Sequence, residues 1–230
     1  GGVVYLAQLA NSGAKIRGVC AATRGDHGQS VAFAAAHHGI PVTIVVPVGN
    51  SPDKNRAMKA IGLELIVQGT DFDEAVVFAH QHAAQNGLHL LPSFDEALVC
   101  GVGSYALGLF RAVSSIDRVY VPVGLGSGAC GVIAPRNALQ LLTEVIGVVS
   151  ANANIYQLSM KAGKPVGTNS ANTIADVLAV RNANAQALEM IASNVTRIIS
   201  VSDNEVRAAM AYYFSDTQNV AEGAGSAGLA

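Results

Sequence analysis

The sequence predicts an α/β protein in two lobes, with parallel-rich sheets covered by helices on both faces. Three observations carry that prediction. Short apolar runs rich in β-branched residues, such as PVTIVV at 41–46, lack the alternation of a half-exposed strand and read as strands buried on both sides. Ala-rich helical stretches alternate with them, the rhythm of a parallel sheet with helical crossovers. The alternation falls in two groups, which gives a small substrate-side lobe at 18–95 and a larger lobe from 1–17 and 96–230.

The elements follow in order. Residues 18–21 form a strand, 26–38 a helix and 41–46 a strand. Residues 52–60 form a helix with Ser51 as its N-cap and Pro52 in the first helical position, where a missing N–H costs nothing. A strand at 63–67 precedes a helix at 71–85, whose first turn carries Asp and Glu to complement the helix dipole. A short strand at 89–91 ends the first group. The second group has a helix at 101–112, a strand at 119–123, a helix at 129–142 and a strand at 144–149. A strand at 196–201 and a helix at 203–214, capped by Ser202, follow, and AGSAGLA at the end reads as helical.

Composition narrows the function. Of 230 residues, 50% are hydrophobic and 13% charged, which excludes a disordered chain and leaves enough apolar surface for a core. A net charge of −2 with no basic run argues against nucleic acid as a partner. Cys20, Cys100 and Cys130 are widely spaced without a CxxC, which suits reduced thiols in a cytoplasm. No apolar stretch is long enough for a bilayer, and the first residues lack a signal-peptide pattern. The six histidines show no HxxxH or HExxH spacing, so no metal site is expected from them. No Gly-x-Ser-x-Gly marks a hydrolase nucleophile.

Two strand-to-helix junctions concentrate chemistry. In VYVPVGLGSGACGV, residues 119–132, a strand runs into Gly124-Leu125-Gly126-Ser127-Gly128 and a helix follows. Glycines let backbone N–H groups approach an anion, and the helix N-terminus adds a favourable dipole. No Gly-Lys-Ser/Thr follows, which excludes a Walker A loop; GSGACG from Gly126 fits a dinucleotide pattern, with Glu144 a weak acidic partner. A tight turn with no ligand is the alternative. Cys130 opens the following helix, where burial is expected to outweigh any lowering of its pKa. In CAATRGDHGQS, residues 20–30, Thr23, Arg24, Gly25, Asp26 and His27 crowd polar groups at another helix start. That turn reads as an anion or carboxylate site, or as an ordinary cap in which Asp26 caps the helix and His27 is solvated.

The run ATRGDHGQSVAFAAAHHGIPVTIVVPVGNSPDKNRAMKAIGLELI resembles the small lobe of the pyridoxal-phosphate-dependent threonine/serine dehydratase family, of the tryptophan-synthase β-like fold (fold type II). Lys54, Met58, Gly62 and Glu64 fit the family register. VPVGLGSGACG is similar to the family's VPxGGGG phosphate loop, with Leu125 and Ser127 in place of two glycines. GVGSYALGL at 101–109, NTIADVLAV at 172–180 and NVAEGAGSAGLA at 219–230 resemble further family segments in the same order.

The resemblance implies a two-lobed lyase that binds pyridoxal 5'-phosphate and a small amino-acid substrate, cytoplasmic and homodimeric. It implies Gly124, Leu125, Gly126, Ser127 and Gly128 at the cofactor phosphate, Asp26 at the phenolic oxygen and Glu222 near the cofactor ring. It implies Thr23, Arg24, Gly25 and His27 at the substrate carboxylate, with Ser93 beside the site. Some relatives use Mg²⁺ or a monovalent cation, for which no ligands can be assigned in this chain. The implied reaction removes the β-hydroxyl and the amine of L-threonine or L-serine. The alternatives are a hydroxyaspartate ammonia-lyase, a serine racemase or another β-replacement enzyme of the same fold, and a non-catalytic module that binds phosphate or an amino acid.

Three departures stand out. The family's Schiff-base lysine precedes the segment that Gly1-Gly2-Val3-Val4-Tyr5 resembles, so it is expected upstream of Gly1 and no catalytic residue is assigned within the chain. The expectation is an internal part of a longer enzyme, inactive alone, with the large lobe incomplete at both ends. Asp26 stands where the family has Asn, which sets a carboxylate beside a phenolate and implies weakened cofactor chemistry. Arg24 stands where racemase-like members carry a serine acid/base; a guanidinium that stays charged favours elimination over racemisation, and it suits a substrate with a second carboxylate.

Overall fold

The computed structural model describes residues 1–230, which divide into two compact units, Gly1–Gly101 and Val102–Ala230. Residues 1–17 and 96–101, which the sequence reading grouped with the large lobe, lie in the first unit.

In the first unit α1 (Gly2–Asn11) precedes β1 (Val19–Ala22), α2 (Asp26–His37), β2 (Val42–Val46) and α3 (Pro52–Ala60). Then come β3 (Glu64–Val67), α4 (Phe72–Asn86), β4 (His89–Leu90) and the start of α5 (Glu96–Ala112). The four strands form one parallel sheet in the order β3-β2-β1-β4, with Val19 opposite Val42 and His89. Side chains alternate across β1, and each face has its own core. Val19 and Ala21 join Ile44 of β2 and Leu6, Val31, Met58 and Leu98, from helices α1, α2, α3 and α5, on one side. Cys20 and Ala22 join Ala75, Ala79 and Ala83 of α4 on the other. That two-sided burial is why these strands are continuously apolar.

The second unit adds β5 (Arg118–Pro122), α6 (Ser127–Ala138), β6 (Glu144–Ser150) and α7 (Ile155–Ala162). A single 3₁₀ turn at Asp176–Leu178 precedes α8 (Ala185–Asn194), β7 (Arg197–Val201), α9 (Asp203–Thr217) and α10 (Gly223–Ser226). Its parallel sheet has the order β5-β6-β7. Val148 and Val201 bury against Ala175, Leu178, Val206, Ala224 and Ala227. No helix in the chain is long and apolar enough to cross a membrane.

Local chemistry explains the boundaries. Ser51 accepts from the Lys54 N–H and Pro52 opens α3, as expected. Asp71 caps α4 by accepting from the Glu74 N–H at 3.0 Å. Ser202 and Glu205 form a reciprocal capping box at α9. Several elements differ from the expected bounds, most by one residue, and three helices among them by more. α5 begins at Glu96, not at 101, because the Asp95 carboxylate accepts from the Ala97 N–H at 2.8 Å. α6 begins at Ser127 and ends at Ala138, because Gly126 serves as its N-cap and the chain turns left-handed at Gln140. α9 runs on to Thr217, where Gln218 is left-handed. Helices α1, α7 and α8 were not predicted. The Asn184 cap and the left-handed Gly163 that bound α8 and α7 are readable signals, whereas the N-cap position of α1 is Gly1, which offers no side chain.

Leu6 is fully buried against α2 and the sheet, so α1 is part of this core and not an appendage. Leu6→Ala is expected to destabilise the first unit by about 2–5 kcal/mol, read from urea unfolding. A loss below about 0.5 kcal/mol would mean that α1 does not hold this position in solution.

Candidate functional site

The chemistry-bearing residues gather at the carboxyl ends of the two parallel sheets, the usual ligand position in such folds. In the first unit the turn after β1 is built around Thr23. Its N–H donates to the Val45 carbonyl at 3.0 Å, and its Oγ1 accepts from the Gly25 N–H at 3.0 Å. Both bonds pin the entry to α2. A Cβ at Gly25 would stand 2.9 Å from Cδ of Lys54 and 3.6 Å from its Nζ, so the lysine stem lies across the turn. A Cβ at Gly28 would meet Met58 Sδ and Thr23 Cγ2, each at 2.7 Å. Small residues therefore let helix α2 start hard against the end of the sheet.

Two cationic or titratable side chains on this turn keep buried nitrogens without a partner: Nε of Arg24 and Nε2 of His27. Burial above all pushes His27 down to about 4, so it is neutral at ordinary pH. His27 is thus not the freely solvated side chain of an ordinary cap. Asp26 does not cap α2 either: Gly25 holds the N-cap position, and Asp26 is the first helical residue and exposed. Ser93 is half-buried just beyond β4, which pairs directly with β1, so the fold brings it to the same sheet end as the Thr23–His27 turn.

In the second unit the glycine loop links β5 to α6. A Cβ at Gly124 would collide with the Val177 carbonyl oxygen. Gly126 has φ +107°, and a Cβ there would stand 2.6 Å from Cβ of Ala187 and 2.9 Å from the Tyr156 hydroxyl. Gly128, by contrast, has room for a side chain, with its nearest neighbour at 3.8 Å. The first helical bond runs from the Cys130 N–H to the Gly126 carbonyl at 2.9 Å, which leaves the N–H groups of Ser127, Gly128 and Ala129 without intrahelical acceptors. A strand-end loop with glycine at 124, 126 and 128 beside such a helix start fits a phosphate group. Cys130 is buried and pushed up to about 11 by that burial, so it is a packed thiol and not a nucleophile.

Glu222 is the residue before α10; its carbonyl accepts from the Ser226 N–H at 2.9 Å. A Cβ at Gly223 would stand 2.9 Å from the Ile174 carbonyl oxygen. The segment 174–178 therefore abuts both Gly223 and Gly124, which ties the Glu222 turn to the glycine loop. Sequence reasoning missed two residues here. Tyr156 is fully buried and donates to the Leu125 carbonyl, and Asn184 donates its N–H to the Tyr156 hydroxyl at 3.2 Å. Asn184 was visible as an N-cap before an apolar helical run, but nothing local announces a contact between residues 31 apart. No three His, Cys, Asp or Glu side chains cluster as a metal site.

Comparison with known proteins gives a consistent result. The family described as pyridoxal-phosphate dependent enzymes matches residues 1–230. The chain is 33% identical over 217 residues to the biosynthetic L-threonine dehydratase of Pasteurella multocida, covering 94% of this chain and 42% of that protein. It is 31% identical over 215 residues to the L-threonine ammonia-lyase of Thermotoga maritima, covering 93% of this chain and 54% of that one. The chain thus spans roughly half the length of these curated relatives. Threonine deaminase isoform 2 of Solanum lycopersicum, in its processed form, superposes with a TM-score of 0.88 at 26% identity, over 99% of this chain and 67% of that one. Maize serine racemase shares the fold with a TM-score of 0.90 at 24% identity, over 100% of this chain and 70% of that one.

The neutral, buried His27 generates a pH prediction. Its folded pKa of about 4 lies below the ordinary value near 6.5, so the unfolded chain takes up a proton first. This contribution to stability is present above pH ~6.5 and is lost as pH falls toward about 4. His27→Gln is expected to flatten the decline between pH 6.5 and 4 by about 1–3 kcal/mol in urea unfolding. An unchanged slope would mean that His27 is solvated in the native state.

Proposed function

The chain belongs to the pyridoxal-phosphate dependent enzyme family, and on that premise we propose that it serves a β-elimination taking L-threonine or L-serine to a 2-oxo acid and ammonia. The observation that carries this reading is the glycine junction after β5, where Gly124 and Gly126 admit no side chain and the first turn of α6 has free N–H groups. Relatives named threonine dehydratase and threonine ammonia-lyase support the reaction class.

When bound, pyridoxal phosphate supplies an electron sink that makes the substrate Cα–H acidic. The chain's own residues bind and orient. Backbone N–H groups from Gly124 to Gly128 hold the phosphate dianion, with Ser127 free to add its hydroxyl. The Thr23–His27 turn and the N–H groups at the start of α2 hold the substrate carboxylate. Fixing that end of a small amino acid orients its Cα–H and its β-hydroxyl for loss. Neutral His27 donates or accepts one hydrogen bond without adding charge. The family resemblance would assign Glu222 to the cofactor ring, Asp26 to its phenolic oxygen and Ser93 to the substrate side. Loss of the Cα proton and the hydroxyl removes one water; the released enamine takes one up as it hydrolyses to the 2-oxo acid and ammonia.

A second reading rests on Arg24, whose buried Nε has no partner in the chain. A guanidinium there suits a substrate with a second carboxylate, such as 3-hydroxyaspartate. The same charge makes a poor proton shuttle and disfavours a serine racemase. The reading also takes the protein to be cytoplasmic, which three unbridged cysteines support, and homodimeric, which sedimentation of the purified protein tests.

The test incubates the full-length protein and pyridoxal phosphate with L-threonine, L-serine or 3-hydroxyaspartate and measures oxo acid and ammonia. Equal amounts of both products are expected, from threonine or serine faster than from hydroxyaspartate, with Gly126→Ala reducing the rate at least about tenfold. Faster turnover of hydroxyaspartate would favour the second reading. Cofactor binding without any oxo acid would instead indicate a non-catalytic binding module.

A further inference from the structure

The Leu125–Gly126 peptide is held from outside the glycine loop. The Tyr156 ring is fully buried, and its hydroxyl donates to the Leu125 carbonyl while accepting the Asn184 N–H at 3.2 Å. Asn184 is itself fixed, because its side chain caps α8 by accepting the Ala187 N–H at 3.0 Å. A line of hydrogen bonds thus runs from the start of α8 through Tyr156 to the loop backbone. Burial raises the Tyr156 pKa, so the phenol keeps its proton at any ordinary pH.

Peptide geometry gives this clamp a consequence. In a planar trans peptide the C=O and the following N–H point in opposite directions. The Leu125 carbonyl faces Tyr156, so the Gly126 N–H faces away from it. Gly126 is buried, and its N–H donates to no acceptor in the chain. A buried N–H without a partner is rare in folded proteins and points to a group that the chain does not supply. Glycine's backbone freedom would otherwise let this peptide rotate.

We infer that Tyr156 is a positioning residue: by holding the Leu125 carbonyl it aims the Gly126 N–H into the loop, and it thereby sets the preference for a phosphorylated over an unphosphorylated pyridoxal. The inference rests on the reading that this loop holds the cofactor phosphate. Tyr156 reaches the loop through its hydrogen bond to the Leu125 carbonyl and acts through that backbone. A residue that merely filled the core would weaken both ligands alike when altered.

The experiment compares dissociation constants of pyridoxal phosphate and pyridoxal for the unmodified protein and Tyr156→Phe. The variant is expected to bind pyridoxal phosphate at least about tenfold more weakly, with pyridoxal affinity unchanged. Equal weakening of both ligands, or no change in either, overturns the inference. A measurement on the unmodified protein does not depend on the variant's folding: titration with inorganic phosphate should move the Gly126 amide proton downfield. A still Gly126 signal while those of Gly128 and Ala129 move overturns the clamp alone. If the unmodified protein binds both pyridoxals equally and no loop amide responds, the phosphate reading fails and the clamp falls with it.

Discussion

No room exists for a β-carbon at Gly124 or Gly126, and much of the second unit is arranged around that constraint. The first position lies against the Val177 carbonyl, the second against Ala187 and Tyr156. Three separate stretches, the 3₁₀ turn near 177, α7 and α8, therefore close on one loop. The same closeness recurs at Gly223 against Ile174 and at Gly228, where a Cβ would stand 3.0 Å from the Tyr120 carbonyl oxygen. Backbone meets backbone at Gly124, Gly223 and Gly228, whereas Gly126 meets the side chains of Ala187 and Tyr156. A helix start placed there offers N–H groups and a dipole to an anion and little else.

The first unit uses related physics with a different outcome. Its turn after β1 also ends a parallel strand and starts a helix, but it carries side-chain chemistry. Thr23 locks the backbone, while Arg24 and His27 keep buried nitrogens unpaired. One of these groups is charged and the other is held neutral by burial. A turn with one permanent cation, one neutral imidazole and free N–H groups suits an anion. The core beneath it is built of small and medium side chains on both faces of the sheet, so helices α2 and α4 sit close to the strands and the turn has a firm base.

Much of this was legible in the sequence. The parallel sheets follow from apolar runs with no alternation, and the caps Ser51 and Ser202 stand where their residue types predict. The glycine loop and the Thr23–His27 turn were found from composition alone, and the family resemblance gave them roles. What the sequence did not reveal is non-local. Helix α1 has a glycine at its N-cap position and is stabilised by burying Leu6, so propensity says little about it. That burial joins α1 to the core of the first unit. Tyr156 looks like any aromatic on an amphipathic helix; only the closing of α7 and α8 on the loop gives its hydroxyl a partner. Asp26 looked like a cap, but Gly25 takes that position and leaves the carboxylate exposed.

The central claim is that the glycine junction after β5 holds the phosphate of pyridoxal phosphate. A crystal structure of the protein grown with pyridoxal phosphate tests it most directly, through the position of the phosphorus atom. The account predicts phosphate oxygens within hydrogen-bond distance, about 2.7–3.2 Å, of N–H groups between Gly124 and Ala129. A phosphate seated instead at the Thr23–His27 turn, or anywhere away from this loop, would contradict it.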